Sequence, residues 1–435
     1  MAEKLSRRTF VKSSVAAAAG VAAASHKRVQ GANERIRLGF IGTANRGGQL
    51  IEGALPHDDA EIVAVCDVWR PAMEQWAEKL PGKPDMYGDY RKVLERDDID
   101  AVVIGTPDHW HALQTVDACH AGKDVYVEKP LSLTISEGRR MVEVARETKR
   151  VVQVGTHRRS GAFFYDLADK VRAGDIGQVS MSHCYRISNM YPNGIGKVET
   201  CEPPDGLDWD MWLGPQAWRP YQPNICPYKF RWWKSYSSQV GNWGVHYFDL
   251  IRWMLDVQAP VSVCAMGSNA IVGDDRTIPV TMQATFELPS GGFVVFGQYE
   301  ASNNTAFPRR GEVELRGTRG TLYASGHGWE IVPERGGQFQ ESEPRMAPQK
   351  FDATGSNRNL TRDHMRNFLD CIKSRERPNA EIEIGHRSTT FSHLANISLW
   401  TRSRLDWDPE FERITNNEAA NAYLSYEYRA PWKLA

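Results

Sequence analysis

The chain is predicted to be an α/β protein whose N-terminal half builds a doubly wound parallel sheet. Two observations carry that expectation. Short β-forming runs alternate with helical stretches at regular spacing from Arg35 to Val154. The first run, Arg35–Ile41, ends in a glycine turn, Gly42-Thr-Ala-Asn-Arg-Gly47, that opens a helix.

The 435 residues are 41% hydrophobic and 25% charged, enough for two or three globular domains with proper cores. A formal net charge of -1 argues against a general nucleic-acid grip, which needs a basic face. Residues 1–32 read as an export signal rather than fold. Ser6-Arg7-Arg8-Thr9-Phe10-Val11-Lys12 is a twin-arginine pattern, and an Ala-rich run, Val15 to Ala24, follows it. That run is too short for a membrane span, so no stable span is expected after signal removal. The localisation expected is periplasmic or otherwise extracytoplasmic. Seven cysteines are scattered without a C-x-x-C pair, which excludes a zinc ribbon. Cys66, Cys119 and Cys264 sit in apolar surroundings and are expected to be buried thiols. Cys201 and Cys226 share one long loop and can pair in an oxidising compartment.

Strand Arg35–Ile41 leads through the glycine turn into a helix reaching about Ala54. Gly42 suits a tight turn and Gly47 suits close packing of helix on strand. The middle glycine of the dinucleotide-type fingerprint is replaced by Ala44. With Asn45 and Arg46, Ala44 belongs to a helix N-terminus whose N–H groups can seat a pyrophosphate. The next strand, Glu61–Cys66, ends in Asp67, where the adenosine ribose requires an acid. A carboxylate there favours NAD, while Arg70 leaves NADP open. A polar stretch, a helix through Tyr90–Glu95 and the strand Ala101–Ile104 follow, then Gly105-Thr-Pro-Asp-His-Trp-His111 and a helix to His120.

Asp124-Val-Tyr-Val-Glu-Lys-Pro130 is a short buried strand stopped by proline. Ligands of parallel sheets bind off the carboxyl ends of the strands, which puts Glu128 and Lys129 where chemistry happens. Taken alone, the pair reads equally well as a surface pair after an edge strand. The helix Ile135–Lys149 and strand Val151–Val154 complete a Rossmann-type domain over residues 33–156.

The run Thr106-Pro107, His111, Gly122-Lys123 and Val127-Glu128-Lys129-Pro130, after a glycine turn and a strand-end Asp, resembles the Gfo/Idh/MocA family of glucose–fructose oxidoreductase and inositol dehydrogenase relatives. The resemblance covers nearly the whole mature chain. It implies a nicotinamide cofactor, a sugar or polyol substrate, and a C-terminal α/β domain (residues 157–415) with an open, mostly antiparallel sheet that often forms oligomer contacts. A dimer or tetramer is therefore expected. By the same resemblance, the loop holding Thr106, Pro107, His109 and His111 wraps the cofactor. A His-x-His metal site there lacks matching carboxylates, so no metal is expected.

The second half is compatible with that sheet. Strands are expected at Val179–Arg186, Val261–Met266, Thr281–Leu288, Phe293–Tyr299, Glu312–Arg316, Gly320–Tyr323 and Trp329–Val332. A mobile loop is expected over Glu334–Gly355, then helices at about Leu360–Lys373 and His386–Arg404. Residues 416–435 form an aromatic tail. Between the first of these strands and His246, the irregular segment Ser188–Gly241 and the residues just beyond hold six of the fourteen tryptophans, Trp232 and Trp243 among them. These either stack on a sugar ring or pack the segment on its own domain.

Asn242 and His246 are four apart at a helix start and share one face. The resemblance makes His246 the catalytic histidine beside Lys129, with Asn242 in the place of the family's Asp. Asn242 cannot take a proton, so proton work falls to Lys129 and His246. Asp249 is read as a structural cap or a partner that orients His246. His157, Arg158 and Arg159 end the last strand of the parallel sheet, where they bind substrate hydroxyls or form an exposed basic turn. The reading is an exported NAD(P)-dependent oxidoreductase acting on a sugar, polyol or glycoside hydroxyl. A redox-assisted, NAD-dependent glycoside hydrolase with tightly bound cofactor is the alternative, and a non-catalytic sugar-binding protein the second.

Overall fold

A computed structural model describes residues 35–309, 311–353 and 359–435. The twin-arginine run lies outside the described residues.

β1 (Ile36–Ile41), β2 (Ala60–Cys66), β3 (Asp85–Tyr87), β4 (Ala101–Ile104), β5 (Asp124–Val127) and β6 (Val152–Val154) form one parallel sheet in the order β3-β2-β1-β4-β5-β6. β4, β5 and β6 are buried throughout, as strands covered by helices on both faces must be. The strand order reverses between β1 and β4, which opens a crevice off their carboxyl ends. β3 and the helix Arg70–Lys79 fill what reads in sequence as a polar stretch. That helix buries only Ala72 and Met73, so it carries no apolar period to read.

One face of this sheet is closed by a helix from far along the chain. Met365, Phe368, Leu369 and Ile372 of Leu360–Ser374 join Leu38, Phe40 and Leu50 in a single core. A division of the chain at residue 157 therefore does not separate the two cores.

The second sheet comprises β7 (Val179–Asn189), β8 (Ser262–Ser268), β9 (Thr281–Glu287), β10 (Phe293–Tyr299), β11 (Ala301–Ser302), β12 (Val313–Gly317), β13 (Gly320–Ser325), β14 (Gly328–Pro333), β15 (Gln349–Asp352), β16 (Leu405–Asp408) and β17 (Arg413–Ile414). Its order is β15-β14-β13-β12-β7-β10-β9-β8-β16-β17, with β11 beside β7. β7 and β10 run parallel and the other pairs antiparallel. β9 alternates: Met282, Ala284 and Phe286 are buried while Gln283 is exposed. The buried face packs on helices Ala162–Arg172, Val245–Leu255 and Ile382–Thr401, with the Phe248 ring against Phe286, Phe296 and Phe391.

Two expectations change here, and one open question is settled. β15 pairs with β14 inside the stretch read as a loop, because that one neighbouring strand supplies the ladder that its own sequence does not advertise. Cys264 is exposed, since its position on β8 points to the open face. Cys201 and Cys226 are both free thiols, one exposed and one buried. Among the described residues, no helix is long and apolar enough to cross a membrane.

The aromatic segment before residue 240 has a core of its own, built from Trp209, Trp212, Tyr221, Phe230, Trp232, Trp233 and Tyr236. It is tied to the sheet by a buried ion cluster. Arg276 pairs with Asp274 at 2.9 Å and Glu300 at 2.7 Å, with side-chain exposures of 1% and 0%. Asp274 also accepts from Ile195 N, and Glu300 from Trp232 Nε1. Removing the cation strands two buried carboxylates. Arg276→Met is expected to cost roughly 3–5 kcal/mol, read as a lowered urea midpoint by tryptophan fluorescence.

Candidate active site

The glycine turn has no room for side chains. Gly42 has φ 83, and a Cβ on it would lie 2.7 Å from Thr106 N. A Cβ on Gly47 would come within 1.9 Å of the Gly42 carbonyl oxygen. The helix Asn45–Ala54 starts at Ala44 without a side-chain cap, leaving N–H groups at its tip open to an anion. Asp67 Oδ2 accepts from Thr43 N at 2.7 Å, and its Oδ1 from Trp69 N at 2.9 Å. Burial pushes this carboxyl above its ordinary range. Turn, helix tip and Asp67 line one end of a cleft of about 490 Å³. A cradle that any Cβ would fill, beneath an uncapped helix tip, fits the pyrophosphate of a dinucleotide.

The end of β5 carries Lys129 into the same cleft. Lys129 Nζ donates to the Asn242 carbonyl oxygen at 2.9 Å and to its Oδ1 at 2.7 Å. Burial lowers this amine to about 8. Glu128 accepts from Arg46 Nε at 2.7 Å. Burial would raise the Glu128 carboxyl, but Arg46 and Lys129 hold it below its ordinary value. Asn242 sits in a π-helical turn, Val240–Gly244, that runs into the helix Val245–Leu255 and its His246. The His246 ring lies edge-on to His157, with centroids 5.2 Å apart. Its Nδ1 is buried with no hydrogen-bond partner among the described residues. Burial, then the charges of Arg158 and Lys129, push His246 well below its ordinary value, so the ring is neutral near pH 7.

Residues 36–156 match the profile of an oxidoreductase family with an NAD-binding Rossmann fold. Residues 216–323 match the GFO/IDH/MocA C-terminal domain, and residues 338–434 an oxidoreductase-family C-terminal α/β domain. The chain belongs to the Gfo/Idh/MocA family. Among solved structures of this fold, aldose-aldose oxidoreductase from Caulobacter crescentus superposes with TM-score 0.64 at 14% identity, over 86% of this chain and 100% of that one. The WlbA dehydrogenase from Bordetella pertussis, in complex with NADH and UDP-GlcNAcA, gives TM-score 0.61 at 18% identity over 86% and 99%. The alpha-N-acetylgalactosaminidase of Shewanella oneidensis is 33% identical over 155 residues, 34% of either chain. The chain thus spans about a third of the length of the curated relatives it matches.

The Gfo/Idh/MocA cleft gathers Gly42, Ala44, Asn45, Arg46, Asp67, Thr106, Pro107, Glu128, Lys129, His157, Arg158, Asn242, Trp243 and His246 on its wall. Four residues singled out in the sequence lie elsewhere, bonded to buried partners, although His109 Nδ1 is buried without a partner among the described residues. His109 Nε2 meets the Trp212 carbonyl oxygen, and His111 spans the carbonyl oxygens of Pro130 and Thr106. Arg159 is locked on Asp249 at 2.8 Å, and Trp232 donates into Glu300. Asp249 accepts from Arg159 and Ser388 rather than orienting His246. Sequence reasoning did not single out Arg231, Tyr228 or Asp108 for the site, yet all three line the cleft. The run Tyr228-Lys-Phe-Arg-Trp232, a cation among aromatic rings, was the available signal.

Asn242 offers Lys129 a neutral acceptor. Asn242→Asp is expected to raise the Lys129 pKa by about one unit or more. The pH dependence of Lys129 labelling by an amine reagent, followed by mass spectrometry, measures it.

Proposed function

We propose that the chain is an NAD(P)-dependent oxidoreductase that moves a hydride to or from a sugar, polyol or glycoside hydroxyl. The observation that carries this reading is the approach of Lys129 Nζ and the neutral His246 to one cleft shared with the glycine cradle. Bound there, a nicotinamide dinucleotide supplies the hydride acceptor or donor. Gly42, Ala44, Asn45 and Arg46 would hold its pyrophosphate and Asp67 its ribose, which supports NAD over NADP. Arg70 is exposed and only 3.8 Å from Glu74, so it keeps NADP as the second choice.

His246 is neutral and accepts the proton of the substrate hydroxyl. Lys129, held by two oxygens of Asn242, presents its charge to the developing alkoxide. Lys129 is desolvated, which strengthens the charge it presents. Trp243, stacked on Arg186 at 4.4 Å, offers an aromatic wall for a sugar ring.

A redox-neutral glycoside hydrolase is the second reading. The 33% identity with the Shewanella alpha-N-acetylgalactosaminidase favours it, over the 34% of that chain aligned. Export is proposed from the twin-arginine run, and a homo-oligomer from the open face of the second sheet, where Met266 is 76% exposed.

Protein purified without added cofactor is expected to release NAD(P) on denaturation if the dinucleotide is tightly held. Net reduction of NAD by free sugars supports the dehydrogenase. Sugar release from an aryl glycoside without net NADH supports the hydrolase. Lys129→Ala is expected to lower turnover about 100-fold or more while NADH still binds; full turnover would remove Lys129 from the chemistry. Because the working form of Lys129 is its ammonium, kcat/KM should be high below about pH 8 and fall as pH rises through it. His246 is already neutral, so no rise is expected between about pH 6 and 7. A pH–rate profile tests both limbs.

A further inference from the structure

The cleft wall holds three arginines, and two of them are spent. Arg46 is paired with Glu128 and Arg158 with Glu312, each at 2.7 Å. Arg231 has no carboxylate within ion-pair distance among the described residues. Its Nη1 donates to the Tyr228 carbonyl oxygen at 2.9 Å, and its guanidinium lies over the rings of Tyr228 at 4.2 Å and Phe230 at 4.5 Å. Stacking on two rings fixes the plane of the guanidinium while leaving its donor edge unsaturated.

The neighbours do not cancel this charge. Lys129 is held by neutral oxygens of Asn242. Asp108, the acid on the same wall, accepts from Ser237 Oγ at 2.5 Å, and burial pushes its carboxyl up. Burial lowers both cations, Arg231 lowers Lys129 further, and Asp108 and Glu128 act on Arg231 from beyond ion-pair distance. Asp108 and Glu128 act on both cations across the cleft, yet among the described residues neither cation has a carboxylate within ion-pair distance, and the open donors of the two mark the seat of an anion.

Given the oxidoreductase reading above, on which this rests, we propose that Arg231 receives the carboxylate of an acidic sugar, of the uronate or aldonate kind. The planar fork of a guanidinium matches the two oxygens of a carboxylate. A single free arginine suits a monoanion better than a doubly charged phosphate ester. The dinucleotide's own phosphates have a separate seat on the glycine turn and the uncapped helix tip. Arg231 would therefore select the substrate and orient its hydroxyl toward His246 and Lys129.

The test uses the full chain with NAD and a panel of free sugars: glucuronate, galacturonate and gluconate against glucose, galactose and glucose 6-phosphate. NADH formation and calorimetric binding are both read. The expected result is at least about a tenfold preference in kcat/KM for an acidic member over its neutral counterpart. Arg231→Gln should erase that preference, mainly through KM, with NADH affinity held within about twofold. Arg231→Lys should restore it only in part, because an ammonium lacks the fork. Equal use of acidic and neutral sugars overturns the proposal, as does preference for glucose 6-phosphate, or an Arg231→Gln variant that loses NADH affinity. Turnover of neutral sugars with intact NADH binding leaves the oxidoreductase reading standing while this one fails. Absence of NADH binding removes both.

Discussion

The hydrogen bonds from Lys129 Nζ to Asn242 are where the two halves of the molecule meet in the cleft. Lys129 stands at the end of a strand in the parallel sheet, and Asn242 on the turn that leads into a helix packed under the second sheet. Neither sheet alone makes a site. A buried ammonium needs acceptors, and Asn242 supplies two without adding a charge, which leaves the amine poised near neutrality.

Electrostatics across the cleft follow from that choice. With no carboxylate at Asn242, Lys129 stays a cation beside His246, which burial and its cationic neighbours keep neutral. Arg46 is paired with Glu128 and Arg158 with Glu312 in the cleft wall, and both arginines still act on His246. What remains presented to a ligand is Lys129, Arg231, a neutral imidazole and the glycine cradle.

The aromatic segment has a scaffolding role as much as a binding one. Trp209, Trp212, Trp232 and Trp233 are buried in a core of their own, while Trp218 is 63% exposed and, of the six, Trp212 and Trp243 reach the cleft. Anchored by Arg276 and Glu300, this core holds Tyr228, Phe230 and Arg231 against the mouth of the parallel sheet.

The amino-acid sequence by itself determined the strand–helix alternation, the glycine turn, Asp67 at a strand end and Lys129 before Pro130. These are local: periodicity and turn chemistry act over a few residues, so they can be read without a fold. Short, weakly amphipathic pieces such as Arg70–Lys79, β3 and β15 escaped because neighbours distant in the chain stabilise them. Only the tertiary structure decided which polar side chains were left free. His109, His111, Arg159 and Trp232 are of the right types, yet they bond partners that fold packing brings to them, from five residues away for Thr106 at His111 to over a hundred for Trp212 at His109. Arg231 was passed over in sequence, and among the described residues no carboxylate comes within ion-pair distance of it, although Asp108 and Glu128 act on it from further off. Availability is set by what lies opposite a group in space, and spacing along the chain does not carry that.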